Sequence, residues 1–67
     1  MKLEDLKELW NKQVKVVLAD NKVIIGCFCS FERAEDNSYG RANIDIETDE
    51  DVLYCVYLDE IKSITLK

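Results

Sequence analysis

The sequence has no histidine and no proline, and its 67 residues include only two glycines and three cysteines. Without histidine the chain lacks the side chain most often used as a general acid or base. Two isolated glycines form no glycine-rich phosphate loop, and no nucleophile-elbow motif is present. A structural zinc site needs four ligands, usually cysteine or histidine, and three cysteines do not complete it. We therefore expect no enzymatic activity and no metal or other cofactor.

Long hydrophobic runs are also missing. Residues 1–10 carry charges throughout, so they predict neither a signal sequence nor a membrane span. An odd number of cysteines without a signal peptide is a poor disulfide framework. We expect reduced cysteines, a cytoplasmic protein and no membrane partner. The length and the absence of a linker or repeat predict one domain over residues 1–67.

The chain has few basic residues: 9 Lys and Arg residues against 14 Asp and Glu residues, which gives a net charge of −5. This balance argues against broad, non-specific binding to nucleic acid, which depends on neutralising phosphates. It fits a protein partner with a basic surface, since complementary charges steer association. The alternative is that the charge only keeps the domain soluble.

What the chain does have is a short helical pattern followed by β-strand patterns. Leu3, Leu6, Leu9 and Trp10 are apolar at helical spacing, which predicts an amphipathic α-helix over residues 3–12. β-prone segments follow in meander order over residues 13–19, 23–31, 41–47, 52–58 and 61–66. Residues 20–22, Asp-Asn-Lys, predict a tight hairpin turn. Five short strands leave two open sheet edges unless the sheet curls, so we expect a barrel over residues 13–67.

The second strand is apolar on both faces. Strict alternation places Ile24 and Phe28 on the inner face. The other face would carry Val23, Ile25, Cys27, Cys29 and Phe31, unless a bulge turns Phe31 inward. We expect the N-terminal helix to cover part of this second face and a second subunit to cover the rest. Cys27, Cys29 and Cys55 are interpreted as ordinary buried cysteines.

Residues 14–32 resemble the first motif of the Sm-like (LSm) family. The motif is a β-prone run, a tight turn, a strand with a central glycine and an aromatic–acid pair. Gly26, Phe28 and Phe31-Glu32 stand at the matching positions, and the N-terminal helix is similar to the family's. Motif and helix cover about half of the chain. The resemblance implies a mainly β fold: a short N-terminal α-helix, then a strongly bent, five-stranded antiparallel Sm-like (SH3-like) barrel.

The family's RNA pocket matches only in part. Tyr57 and Leu58 stand where RNA-binding members carry Arg-Gly, and no aromatic residue lies in the middle of residues 32–36. A modified pocket would use the residues near the long loop that can stack on bases or contact phosphate. These residues are Asn37, Tyr39, Arg41 and Tyr57.

The last hairpin, residues 57–61, is also similar to that of small bacterial Sm-like regulators, such as the Rho inhibitor Rof, which act on protein. An acidic docking surface would suit such a role. Five carboxylates fall within seven residues: Asp45, Glu47, Asp49, Glu50 and Asp51. The alternative is that they form a solvated strand face and turn.

The Sm-like resemblance further implies ring assembly through pairing of the fourth strand with the fifth. A homo-oligomer interface would then use apolar residues of these strands, namely Val52, Tyr54, Val56, Ile64 and Leu66. Two hypotheses follow. The first is a self-assembling, non-catalytic module that scaffolds or regulates a basic protein partner, and the second is an RNA-binding ring with a modified pocket.

Overall fold

In the computed structural model, which describes residues 1–67, a single antiparallel sheet of five strands follows a short N-terminal helix. The strands are β1 (Gln13–Leu18), β2 (Val23–Glu32), β3 (Asn43–Glu47), β4 (Leu53–Tyr57) and β5 (Ile61–Leu66). Two further 3-10 turns lie at Ala34–Asp36 and Leu58–Glu60. The predicted mainly β class and all five predicted strands are confirmed.

The N-terminal helix is shorter than predicted and of a different type. It is a 3-10 helix over Leu3–Leu9, whereas the sequence predicted an α-helix over residues 3–12. Trp10 is already extended, and Asn11 has a left-handed backbone with φ of 64°. So short a segment forms too few i→i−4 bonds to hold an α-helix alone, and the turn at Asn11 ends it. Leu6 is nevertheless buried, as its position in the apolar stripe predicts.

The hairpin between β1 and β2 forms at the predicted turn. Asn21 adopts a left-handed backbone with φ of 69°. The Asp20 carboxylate accepts a hydrogen bond from the Lys22 N–H at 3.0 Å. The turn sets the register in which Val16 lies opposite Ile24.

The strand order in the sheet is β4-β3-β2-β1-β5. The first four strands follow the predicted meander, but β5 lies beside β1 instead of β4. The turn at Leu58–Glu60 redirects the chain, and the Ala19 N–H donates to the Glu60 carbonyl at 2.8 Å. The Lys67 N–H then donates to the Gln13 carbonyl at 3.0 Å. The sheet is open, so β4 and β5 are its two edges.

The inner face of the sheet and the helix share one core. Its nine buried residues are Leu6, Val14, Val16, Ile24, Phe28, Ile44, Ile46, Val56 and Leu58. The predicted inner positions of Ile24 and Phe28 are confirmed. Gly26 is required where β3 crosses β2, because a Cβ there would lie 2.9 Å from both the Glu47 carbonyl carbon and the Ile46 Cγ2.

A β-bulge between Phe28 and Ser30 changes the alternation of β2. Phe31 therefore pairs with the buried Ile44, and its ring lies 6.5 Å from that of Phe28 and 5.9 Å from that of Trp10. The bulge thus turns Phe31 to the side of Phe28, as the sequence allowed, but Phe31 stays 47% exposed.

The opposite face of β2 stays open. Val23 and Ile25 are 47% and 41% exposed. The N-terminal helix does not cover these two residues, since Leu6 packs in the core on the inner side of the sheet. Cover of this face by a second subunit stays a prediction. Cys27 and Cys29 are part-buried, whereas Cys55 is exposed, so the buried interpretation fails for Cys55.

Candidate functional site

Asn37 organises the long loop between β2 and β3. Its side-chain amide donates hydrogen bonds to the carbonyls of Arg33 and Arg41, at 3.1 and 2.8 Å. Its Oδ1 accepts one from the Tyr39 N–H at 2.9 Å. Because these bonds occupy both ends of the amide, Asn37 positions its neighbours in the loop.

Tyr39 and Arg41, which follow Asn37 in the loop, meet Tyr57 at the end of β4. The Tyr39 and Tyr57 rings contact edge to face, with centroids 6.3 Å apart. The Arg41 guanidinium carbon lies 3.8 Å from the Tyr57 ring centroid, which is cation–π geometry. Tyr39 is 72% exposed and offers a free ring surface. The structure thus brings together all four residues proposed for RNA; we name Asn37, Tyr39, Arg41 and Tyr57 the tyrosine–arginine cluster.

The only cation of this cluster already has anionic partners. Arg41 binds Asp59 through two hydrogen bonds, of 3.0 and 2.7 Å, and its guanidinium lies 3.5 Å from the Glu60 carboxylate. The hydrogen bond from Arg41 lowers the pKa of the Asp59 carboxyl below its ordinary value. Because Asp59 and Glu60 already engage the guanidinium, Arg41 has little free charge for a phosphate.

The five predicted carboxylates lie on β3 and in the turn that follows it, and we call them the acidic surface. Asp45 and Glu47 lie on the outer face of β3, and the other three follow in the turn to β4. Asp45 is part-buried and accepts a hydrogen bond from the Ser30 hydroxyl at 2.6 Å, whereas the remaining four are exposed. None of the five forms an ion pair. Residues 42–61 contain no lysine or arginine, so the nearby sequence supplies no counter-ion.

Asp45 also has a role that the sequence did not reveal. Its backbone carbonyl accepts a hydrogen bond from the Cys29 thiol at 3.4 Å, and it lies opposite Cys55 in the register of β3 and β4. Burial, followed by the charge of Asp45, raises the pKa of the Cys55 thiol. Burial and Asp45 together therefore favour the less reactive, protonated form of the Cys55 thiol.

The residues predicted for an oligomer interface differ in how exposed their side chains are. Tyr54 and Leu66 are exposed on the two edge strands, and Val52, which directly precedes β4, is also exposed. Ile64 is part-buried against the core, and the side chain of Val56 lies inside it. Val56 can therefore contribute to an interface only through its backbone.

An apolar groove that the sequence analysis did not predict lies between the N-terminal helix and β2. It has a volume of about 630 Å³ and is lined by Leu3, Leu6, Trp10, Phe28 and Phe31, with Glu4, Lys7 and Arg33 at its rim. The Trp10 indole donates to the Cys29 carbonyl at 3.4 Å, which fixes one wall. The groove could not be inferred because the bulge that brings Phe31 to this side has no clear mark in the sequence.

Comparison of the chain with protein-family models, curated proteins and solved structures finds no match. None of its helical segments has the length and apolar character needed to cross a lipid bilayer.

Proposed function

We propose that this chain is a non-catalytic, Sm-like binding module of the cytoplasm that assembles with itself and scaffolds or regulates a protein partner with a basic surface. The partner binds the acidic surface formed by Asp45, Glu47, Asp49, Glu50 and Asp51. The observation that carries this proposal is that four of these carboxylates are exposed and that none of the five forms an ion pair. Unpaired carboxylates grouped on one face favour a cationic partner.

Two features support the Sm-like part of the proposal. Residues 14–32 resemble the family's first motif, and a bulge such as the one in β2 increases the local bend and twist of a sheet. The family resemblance implies rings built by pairing the fourth strand with the fifth. Here β4 and β5 are the two edges, and each has backbone groups free to pair with another chain.

A labelled peptide of alternating arginine and threonine tests partner binding. We expect binding that weakens as salt is raised, and about tenfold weaker binding when Asp49→Asn, Glu50→Gln and Asp51→Asn are combined. These side chains are exposed, so the fold should be unaffected.

A matched control removes three carboxylates elsewhere: Glu4→Gln, Glu8→Gln and Glu35→Gln. This variant has the same net charge as the first and should bind the peptide like the wild type. Equal losses in both variants would show that the peptide senses only net charge, and the docking surface would be rejected.

A second candidate function is RNA binding, which is favoured by the convergence of Tyr39, Arg41 and Tyr57. Stacking on Tyr39 would hold a base, and Arg41 would have to exchange Asp59 for a phosphate. If RNA binds here, oligo-U affinity should rise in Asp59→Asn and fall in Tyr39→Ala. No binding of oligo-U by either variant would eliminate this candidate.

Ring assembly is tested through an edge strand. Because the Lys67 N–H points to β1, the alternation of an antiparallel strand directs the Leu66 N–H to the free edge. Leu66→Pro removes that donor and should reduce a ring, measured by light scattering, to smaller species. An unchanged mass would contradict edge pairing.

A further inference from the structure

The outer face of β1 and β2 carries an exposed apolar patch that nothing in the chain covers. Val23 and Ile25 are 47% and 41% exposed, and Val17 lies directly opposite Val23 in the register. Cys27 extends the patch along β2. Exposed apolar residues are common singly, but adjoining ones on one sheet face are typical of an interface.

Charges of opposite sign border this patch on its two sides. On the β1 side, Lys15 lies opposite Ile25. On the β3 side, Glu47 lies opposite Cys27, and the acidic turn at residues 49–51 follows it. The outer face therefore carries a lysine on β1, the apolar patch around β2 and carboxylates on β3 and in the turn after it.

We propose that this outer face binds the same face of a second copy of the chain, forming a two-fold dimer with β2 at its centre. A two-fold rotation about an axis along β2 exchanges the strands on either side, so β1 of each copy lies over β3 of the other. Ile25 then packs against Ile25 of the second copy. Lys15 approaches Glu47 and the acidic turn of the second copy, which gives the otherwise unpaired carboxylates a cation.

The size of the molecule limits how strong this dimer can be. Its extents are 29 × 23 × 22 Å, so one sheet face offers at most about 670 Å² per copy. A contact of this size is at the low end of specific interfaces. We expect a dissociation constant in the micromolar range and a dimer that depends on protein and salt concentration.

The dimer is independent of the proposed ring, which uses strand edges instead of the outer face. It shares Glu47 and the acidic turn with the proposed partner surface. A basic partner and the second copy therefore compete for these carboxylates, and the dimer keeps the acidic surface covered until the partner arrives.

Sedimentation velocity over about 10 µM to about 1 mM protein tests the dimer. Ile25→Thr keeps a β-branched residue at an exposed position and should raise the dissociation constant about tenfold, because one isoleucine is lost from each copy. The matched control is Leu66→Thr, which changes a residue 57% exposed on an edge strand and should leave the dimer unchanged. Monomer at all concentrations, or loss in Leu66→Thr but not in Ile25→Thr, would overturn the proposal.

Charge exchange tests the predicted pairing of β1 with β3. Lys15→Glu and Glu47→Lys should each weaken the dimer, and the double variant should restore it because the charges are opposite again. A double variant as weak as the single ones would overturn the two-fold arrangement. If rings also form, Ile25→Thr should separate paired rings and halve the assembled mass. Leu66→Pro should break the ring itself, so the two variants distinguish the outer-face contact from the edge contact.

Discussion

The guanidinium carbon of Arg41 lies 3.8 Å from the centroid of the Tyr57 ring. This contact joins the long loop to the end of β4, and Asp59 binds the same guanidinium through two hydrogen bonds. One arginine thus connects the long loop to the end of β4 and to the turn that directly follows it.

Removing the Arg41 guanidinium should change the titration of Asp59. Its hydrogen bond lowers the pKa of the Asp59 carboxyl below the ordinary value of 3.8. Because the folded pKa is depressed, this pairing stabilises the fold above the ordinary pKa and is lost as the pH falls through the folded value. We expect Arg41→Gln to raise the Asp59 pKa, measured by NMR of the carboxyl carbon. Arg33→Gln, which does not contact Asp59, should leave it unchanged, and an unmoved pKa in Arg41→Gln would refute the pairing.

Asn37→Ala should loosen the loop and lower stability. The amide bonds to three backbone groups of the loop at 3.1 Å or less, and its loss should cost about 1–2 kcal/mol of the free energy of unfolding. The Tyr39 ring signals should also shift toward those of a mobile tyrosine. Ser38→Ala, the neighbouring change, should alter stability by less than about 0.5 kcal/mol. Similar stability in the two variants would show that the loop is held by Arg41 alone.

Gly26→Ala should be the more damaging of the two possible glycine substitutions. A methyl group at this position would meet the backbone of Glu47, and relieving such overpacking should cost at least about 2 kcal/mol in urea unfolding. Gly40 has φ of 66° and open space around it, so Gly40→Ala should cost about 1 kcal/mol through backbone strain only. The reverse order of costs would contradict the close crossing of β2 and β3.

Asp45→Asn should make Cys55 more reactive. The carboxylate helps to raise the thiol pKa, so its neutralisation should increase the thiolate fraction and the rate of alkylation by iodoacetamide. Peptide mapping separates Cys55 from the other two cysteines. Glu50→Gln removes the same charge from the neighbouring turn and should leave the rate unchanged. Equal acceleration in both variants would exclude a specific effect of Asp45.

The strand positions were predictable because their signals are local. The turn at residues 20–22 and the alternation around Ile44 and Ile46 each depend on a few neighbouring residues. The position of β5 was not predictable in this way. It depends on a single turn at Leu58–Glu60, and that turn allows the strand to return to β1.

The sequence predicted which residues of the tyrosine–arginine cluster would meet, but not that an acidic residue would pair with its arginine. Tyr39, Arg41 and Tyr57 were selected for base stacking, and they do meet. What the sequence could not show is that Asp59 lies within hydrogen-bond distance of Arg41, because this contact depends on how β4 ends. The burial of Asn43 was not predictable either. Alternation along β3 assigns Asn43 to the outer face, but Glu32 and Tyr57 lie on either side of it in the sheet and it is buried.

The place of β5 beside β1 has a kinetic consequence. β1 forms a local hairpin with β2, but its other edge is completed only when Ile64 reaches Val16 from far along the chain. That pairing closes a loop containing β2, β3 and β4. The loss of chain entropy on closing this long loop makes the pairing of β5 with β1 a late step in folding. The hairpin of β1 and β2 can form early, while β1 keeps an open edge to which a strand of another molecule could bind. Folding at high protein concentration would therefore expose this edge to exchange between chains before the native fifth strand arrives.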